Sequence, residues 1–328
     1  MIHQPIAADY LATFLAPIAP LLRQPDVTDL YINGTGAAWV EHGSGVVERH
    51  ALPALTETWL WQLSEQMART AHQGISRAEP LLSATLPDGT RVQVVAPPAT
   101  RSGFAIAFRR QVTSDFRLSD LAAARMFDDV VDAGHDADAE LRALYRAGDY
   151  AGFLAAAVVR RKTIVVSGGT ACGKTTFVNA LLREIPADER LVTIEDSAEL
   201  DVAHRNSVGL IAARGPLGES GVGPAELLQA ALRLRPDRIL LGEIRGSEAL
   251  TFLHAINSGH PGSMTTVHAD SPTRAIDQIA MLAAQSGAQI AGMALRDYAD
   301  RLIDIVVQLD RTAQGRRVRS IRWLPATC

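Results

Sequence analysis

The chain has 328 residues, of which 47% are apolar and 21% are charged, and its formal net charge is −4. This length suits two domains rather than one core, and the weakly acidic balance gives no global attraction to nucleic acid or to an anionic membrane. No apolar segment approaches the roughly 20 residues that span a bilayer, and the N-terminus shows no secretory signal, so we expect a soluble cytoplasmic protein.

Residues 1–113 carry the patterns of an α+β domain. Apolar residues at helical spacing predict one helix within residues 1–22 and an amphipathic helix over residues 56–71. Short apolar segments bounded by turn residues predict antiparallel strands, which lie over residues 29–33, 38–41, 82–95 (two strands) and 104–108. An antiparallel sheet with helices is typical of the α+β class.

An acidic segment over residues 114–139 follows, and we interpret it as a linker. From residue 140 to residue 328, two helices lead into alternating strands and helices, and a hairpin closes the chain. The strands are continuous apolar segments, which is typical of a mostly parallel α/β sheet that is covered on both faces. In such sheets the ligand lies beyond the carboxyl ends of the strands.

A phosphate-binding loop pattern follows the first of these strands. Residues 168–175 read G-G-T-A-C-G-K-T, which matches G-x-x-x-x-G-K-T. Of the 32 lysines and arginines in the chain, only Lys162 and Lys174 are lysine, and Lys174 stands where a compact ammonium reaches phosphates. Strand, loop and helix together aim backbone N–H groups at an anion. We predict nucleoside triphosphate binding by Gly168, Gly169, Thr170, Ala171, Cys172, Gly173, Lys174, Thr175 and Thr176.

Acidic residues at strand ends are the next candidates. The Thr175 hydroxyl is predicted to bind Mg²⁺, and Glu243 is predicted to hold the metal's water shell or to orient water. Glu195 ends another strand and is predicted to activate water near the γ-phosphate. The alternatives are a surface carboxylate for Glu243 and a structural role for Glu195. Spacing alone favours a structural role for His268.

Arginines supply the remaining candidates. A phosphoryl-transfer site often recruits arginine from another domain or subunit, and Arg91, Arg101, Arg109 and Arg110 are available for this. The alternative is that they are solvated strand ends. The C-terminal arginines are interpreted as a solvated hairpin face rather than a nucleic-acid patch, and they are Arg311, Arg316, Arg317, Arg319 and Arg322.

Four motifs in order carry a family resemblance. They are GGTACGKTT, RLVTIEDSAEL, RPDRILLGEIRG and GHPGSMTTVHADSP, and they resemble the Walker A, aspartate box, Walker B and histidine box of the type II/IV secretion ATPase superfamily. The segments VTDLYINGTGAAWVE, LPDGTRVQVVAPPA and SGFAIAFRR resemble the N-terminal domain of the hexameric traffic ATPases of bacterial type IV secretion and conjugation systems. Cys172 and Cys328 are the only cysteines, so the tetracysteine zinc element of many type II relatives is absent from the sequence.

The resemblance implies a RecA-like ATPase domain over residues 140–328, with ATP and Mg²⁺ as cofactors. It implies catalytic roles for Glu195, for Glu243 as the Walker B acid, for His268 near the γ-phosphate, and for Arg91 and Arg110, although the adjacent Arg109 leaves the choice between Arg109 and Arg110 open.

It also implies a homohexamer that attaches to the cytoplasmic face of the inner membrane through partners. There the hexamer would energise pilus assembly or the transfer of DNA or protein. Direct nucleic-acid binding is not the primary role. The alternatives are an ATPase of a type IV pilus or type II secretion system, a DNA-stimulated translocase, and a regulatory module without hydrolysis.

Overall fold

The first half of the chain forms a six-stranded antiparallel sheet. The computed structural model describes residues 6–110, 117–123, 125–128, 138–213, 218–287 and 292–323. The elements before the second sheet are α1 (Ile6–Leu15), α2 (Ala19–Leu22), β1 (Val27–Asn33), β2 (Ala37–His42), β3 (Val47–Ala51), α3 (Glu57–Thr70), β4 (Leu81–Thr85), β5 (Arg91–Val95), β6 (Ala105–Arg109) and α4 (Leu118–Ala123). The predicted N-terminal helix is thus two helices, and β3 was not predicted. The strand order of the sheet is β3-β2-β1-β6-β5-β4.

The second half contains a seven-stranded sheet. Its elements are α5 (Ala139–Ala147), α6 (Tyr150–Val159), β7 (Ile164–Gly168), α7 (Lys174–Leu182), β8 (Leu191–Glu195), β9 (Ser207–Ile211), α8 (Pro224–Ala231), β10 (Arg238–Leu241), α9 (Glu248–Asn257), β11 (Met264–Val267), α10 (Pro272–Ala284), α11 (Gly292–Leu302), β12 (Ile305–Thr312) and β13 (Gly315–Trp323). The strand order is β13-β12-β7-β11-β10-β8-β9, and among these described strands only β13 runs antiparallel to its neighbour. The mixed α/β class with a mostly parallel sheet is confirmed.

The central strands β7, β8, β10 and β11 are buried along their whole length. Helices cover both faces of the sheet, so every side chain of these strands meets another apolar surface, which explains why their sequences do not alternate. Because the four strands are parallel neighbours, their carboxyl ends lie at one edge of the sheet. That edge brings together the ends of β7 at Gly168, β8 at Glu195 and β10 at Leu241.

Local sequence signals fix where several helices begin. The Thr56 side chain accepts a hydrogen bond from the Trp59 amide at 3.2 Å and caps α3. Ser271 caps α10, and Pro272 at its first position is preorganised for a helix. Asp149 caps α6 by accepting from the Gly152 amide at 3.0 Å. Within the described residues, no helix combines the length and apolar character needed to cross a bilayer.

The strand β1 of the first sheet is buried on both faces. Leu30 and Ile32 point toward α3 and share a cluster with Leu60 and Leu63. Tyr31 alternates to the other face and joins a cluster that contains α8. The first sheet is therefore packed between its own helix and the second half of the chain.

A buried arginine connects the two halves. The Arg190 guanidinium lies 4.2 Å from the centroid of the Tyr31 ring and donates to Asn33 at 3.0 Å and to the Leu234 carbonyl at 3.0 Å. Burial lowers the pKa of Arg190 to about 10, and burial likewise raises the pKa of Tyr31. Arg235 adds an ion pair to Glu41 at 2.7 Å.

A loop of the first half also extends the second sheet. After β5, the backbone bonds to the edge strand β9, because the Arg101 amide donates to the Gly209 carbonyl at 2.8 Å and the Ile211 amide donates to the Ala99 carbonyl at 2.9 Å. The edge strand is thereby covered, which protects it from pairing with another chain. This contact brings the side chain of Arg101 to the second domain.

The predicted linker, residues 114–139, is described only in part. Residues 114–116, 124 and 129–137 lie outside the described residues, and α4 occupies part of the rest. The domain boundaries at 113 and 139 stay predictions.

Candidate active site

The phosphate-binding loop connects β7 to α7 at the carboxyl edge of the second sheet. Gly173 has a positive φ angle of 95°, a region that glycine adopts without a steric penalty, and Ala171 is held at a positive φ of 61° despite its Cβ. A Cβ placed on Gly168 would lie 2.9 Å from the Leu309 carbonyl oxygen and closer still to the Cys172 thiol, which is buried. Glycines are thus required where the chain turns tightly and where neighbouring strands approach it.

This loop has the donors that a phosphate needs. Among the described residues, no backbone carbonyl accepts a hydrogen bond from the N–H groups of residues 169–173. Gly173 precedes the first turn of α7, whose N–H groups have no partner within the helix. The helix N-terminus adds a partial positive charge. The loop therefore fits a nucleotide's phosphates by an observation independent of its sequence pattern.

The Lys174 ammonium lies inside the loop. Its Nζ donates to the carbonyl oxygens of Gly168 at 3.1 Å and Gly169 at 3.3 Å, and it lies 3.4 Å from His268 Nε2 and 3.8 Å from Glu243 Oε1. Only 11% of the side chain is exposed. The candidate phosphate ligand, the predicted Walker B acid and the histidine therefore form one cluster.

Glu243 lies between two basic side chains. Arg245 donates to Oε2 and also lies 3.4 Å from Asp196. His268 Nε2 lies 2.9 Å from Oε1, but Oε1 has no hydrogen-bond partner among the described residues. Backbone contacts from β11 support this arrangement, since the Ile244 amide donates to the Thr266 carbonyl at 2.9 Å. Arg245 was not among the residues singled out in the sequence, although its position two residues after Glu243 is a signal for this contact.

Glu195 ends β8 with an almost fully buried carboxylate. Its Oε1 accepts hydrogen bonds from the amides of Glu199 at 2.8 Å and Leu200 at 2.7 Å. Its Oε2 has no hydrogen-bond partner among the described residues, and Arg101 Nη1 lies 3.9 Å from it. One oxygen fixes the orientation of the carboxylate, and the other is buried without a hydrogen-bond partner among the described residues.

Thr175 is the second residue of α7 and lies beside Glu199. The Thr175 hydroxyl donates to Glu199 Oε2 at 3.0 Å, and Asn179 donates to the Glu199 carbonyl at 3.2 Å. A hydroxyl and nearby carboxylates are oxygen ligands of the kind that Mg²⁺ prefers together with phosphate oxygens. The residues that would hold a metal beside a nucleotide are Thr175 and Glu243, which line the same cavity.

These side chains surround a cavity of about 510 Å³. It is lined by Thr170, Ala171, Cys172, Gly173, Lys174, Thr175, Thr176, Ile194, Glu195, Asp196, Ser197, Glu199, Leu200, Pro224, Leu241, Gly242, Glu243, Arg245, Thr266, His268 and Arg316. This volume is in the range of small-molecule sites. The lining includes Arg316, although its sequence pattern predicted a solvated hairpin face.

The structure does not place Arg91 or Arg110 on this cavity. Arg91 lies opposite Arg109 in the first sheet, and both line a second cavity of about 680 Å³ with Arg233 and Arg235. Arg110 donates to the carbonyl of Val27 at 3.2 Å. The only residue of the predicted arginine set within reach of the described cavity residues is Arg101, so the phosphate contacts of Arg91 and Arg110 stay predictions.

A parallel sheet with a glycine loop, an interior lysine and two acidic strand ends defines a P-loop ATPase. Comparisons with known proteins agree with this class. The family described as "Type II/IV secretion system protein" matches residues 13–321. The chain therefore belongs to the type II/IV secretion system protein family.

Individual relatives within this family belong to type IV secretion systems. The chain is 35% identical to the type IV secretion system protein VirB11 of Bartonella henselae, over 95% of this chain and 92% of that protein. It is 38% identical to the type IV secretion system protein PtlH of Bordetella pertussis, over 94% and 92%. The crystal structure of the VirB11 ATPase from the Brucella suis type IV secretion system, in complex with sulphate, superimposes with a TM-score of 0.89 and 35% identity over 96% of this chain and 98% of that one. The chain is a type IV secretion ATPase, and its fold is that of the RecA-like ATPases with an N-terminal domain.

Proposed function

We propose that this ATPase hydrolyses Mg²⁺–ATP in the cavity at the carboxyl edge of the second sheet, with Glu195 as the group that activates water. The observation that carries the proposal is the Glu195 carboxylate, whose Oε1 is fixed by two amides while Oε2 has no hydrogen-bond partner among the described residues. A base needs this combination of fixed orientation and a free lone pair.

The other residues divide the work of phosphoryl transfer. Lys174 binds the terminal phosphates, and the backbone of residues 168–173 holds the phosphate chain. Thr175 and Glu243 hold Mg²⁺, which when bound neutralises charge on the phosphate oxygens. Arg245 orients Glu243 by donating to its Oε2, and His268, whose Nε2 lies 2.9 Å from Glu243 Oε1, lies where it would meet the γ-phosphate.

Arginine is the remaining requirement for charge neutralisation. Because Arg91 and Arg110 lie away from this chain's own cavity, a phosphate contact by either one requires a movement of the N-terminal domain or the nucleotide of a neighbouring subunit. We propose a homohexamer in which hydrolysis moves the two domains about residues 114–139. The hexamer would attach to the cytoplasmic face of the inner membrane through components of the secretion machine, and energise pilus assembly or the passage of DNA or protein.

Two measurements test this proposal. Mass in solution with and without ATP and Mg²⁺ is expected to show a six-subunit species, and a strictly monomeric protein under both conditions would refute the ring. ATPase activity of that species is expected to be lost in Lys174→Ala. If the assembled wild type hydrolyses no ATP, a regulatory binding module replaces the motor. If DNA alone stimulates hydrolysis many-fold, the protein is a DNA translocase rather than a secretion motor.

A further inference from the structure

The C-terminal hairpin reaches the phosphate-binding loop because of its register in the sheet. Strand β12 runs parallel to β7 and pairs Leu309 with Gly168, the last residue of β7. Because β12 continues to Thr312, its final residues and the start of β13 extend beyond the end of β7. The tip of the hairpin therefore stands at the same edge of the sheet as the nucleotide cavity.

Arg316 lies across the loop at Gly173. A Cβ placed on Gly173 would lie 2.9 Å from Arg316 Cδ and 3.6 Å from Arg316 Nη1. The side chain lines the cavity, so the guanidinium is next to the point where the loop becomes α7. The following residue, Arg317, does not line the cavity, because adjacent side chains of a strand point to opposite faces.

Arg316 differs from the other described cations of the cavity in its partners. Lys174 and Arg245 both lie near the Glu243 carboxylate, whereas Arg316 forms no ion pair with any described residue. On the hairpin, Arg319 and Arg322 form ion pairs with aspartates at 3.2 Å and 2.6 Å. Arg317 also has no ion pair among the described residues, but it does not line the cavity. A cation without a carboxylate partner at a helix N-terminus favours an anionic ligand.

We propose that Arg316 is a nucleotide-binding residue whose guanidinium donates hydrogen bonds to the α- and β-phosphates. Lys174 turns back toward Gly168 and Gly169, on the side of the loop where the β- and γ-phosphates bind. Arg316 covers Gly173, where the loop enters α7 and its amides face the α- and β-phosphates. Lys174 and Arg316 thus contact different parts of the phosphate chain. This inference rests on nucleotide binding at the proposed site.

The test is the affinity of the full-length protein for ADP with Mg²⁺, measured by calorimetry. ADP is used instead of ATP so that no hydrolysis occurs during the titration. The variants are Arg316→Ala, Arg316→Lys and, as the matched control, Arg317→Ala, which removes the same charge from the opposite face of the same strand. Loss of charge-assisted hydrogen bonds at an exposed site is expected to weaken ADP binding by about ten-fold in Arg316→Ala. Arg316→Lys is expected to recover part of the loss, and Arg317→Ala is expected to bind as the wild type does.

The affinity for adenosine and the effect of ionic strength show whether Arg316 contacts the phosphates or the base. If the contact is to phosphate, Arg316→Ala leaves the affinity for adenosine unchanged, and its defect with ADP shrinks as ionic strength rises. An equal loss for adenosine and ADP would overturn the phosphate assignment, and wild-type affinity in Arg316→Ala would overturn the inference as a whole. Equal losses in Arg316→Ala and Arg317→Ala would also overturn it, because they indicate only the net charge of the hairpin. If the wild type binds no ADP, the proposed function itself fails, which is a different result from any of these.

Discussion

The Glu195 carboxylate allows its structural role to be separated from its chemical role with two substitutions. In Glu195→Gln, the amide oxygen still accepts from the amides of Glu199 and Leu200, while the NH₂ group takes the place of Oε2. The shape of the site is kept, but the lone pair that would take a proton from water is lost. We expect kcat to fall by about 10²- to 10⁴-fold, with ADP affinity and Tm close to those of the wild type.

Glu195→Ala removes the two hydrogen bonds as well. Hydrogen bonds to a charged acceptor each contribute about 1.5–3 kcal/mol, and water from the adjoining cavity replaces part of that when the side chain is shortened. We therefore expect about 2–3 kcal/mol of destabilisation, which corresponds to a fall in Tm of about 5–10 °C for the ATPase domain. The expected order of Tm is wild type, then Glu195→Gln, then Glu195→Ala, whereas both variants lose activity.

The assay is steady-state phosphate release by the assembled protein, together with a thermal melt and an ADP titration on the same samples. Activity within three-fold of the wild type in Glu195→Gln would refute the role of this carboxylate as the base. Equal melting temperatures for the Gln and Ala variants would refute the structural half of the reasoning, because they would show that the two amides do not depend on Oε1. Lys174→Ala serves as the reference for a protein that is folded but does not hold phosphate.

Three further predictions concern positioning, stability and pH. Arg101→Ala is expected to lower kcat about two- to five-fold with little change in KM, because Arg101 lies beside Glu195 at a partly exposed site and positions that carboxylate; an effect on KM alone would contradict this. Glu189→Ala is expected to cost about 3–5 kcal/mol in a denaturation experiment, since it leaves the fully buried Arg238 without its carboxylate partner at 2.7 Å. Burial lowers the pKa of His260, so its contribution to stability is complete above the unfolded pKa of about 6.5 and is lost as pH falls toward the lowered value. Denaturation at pH 7.5 and 5.5 is therefore expected to show a smaller loss on acidification in His260→Gln than in the wild type.

Local chemistry made much of the site predictable from the sequence. The phosphate loop is one continuous segment, and its lysine, glycines and flanking strand and helix are all visible within residues 163–182. Glu195 could be located because it ends a continuous apolar segment, and parallel strands bring their carboxyl ends to one edge. No knowledge of long-range packing was needed beyond the expectation that these strands share a sheet.

Arg316 and Arg101 depend on pairing between distant segments, and sequence patterns do not record that register. Arg316 reaches the loop because β12 pairs with β7 across about 140 residues of chain. Arg101 reaches Glu195 because its loop bonds to β9, a short strand that was not predicted since it has a glycine at its centre. That Gly209 is also what admits the loop, because a Cβ there would lie 3.0 Å from Arg101 Cβ. Gly209 therefore weakens the strand pattern in the sequence and also leaves the space that the Arg101 side chain occupies.

The two lysines of this arginine-rich chain occupy comparable environments. Lys174 is 11% exposed and its ammonium is approached from several directions by two carbonyls, a histidine and Glu243. Lys162 is 15% exposed and contacts Asp138 at 2.9 Å and Asp304 at 3.8 Å. A compact ammonium suits acceptors arranged around a point, whereas a guanidinium needs acceptors in the plane of its fork. Arg316 and Arg101 instead place a planar group at exposed positions beside the cavity. Both lysines thus occupy sites that a guanidinium fits poorly. This explains why residue 174 of the phosphate loop is a lysine in a chain that otherwise uses arginine. Lys162 is retained for the same reason, and its contacts with Asp138 and Asp304 join the start of α5 to the start of β12.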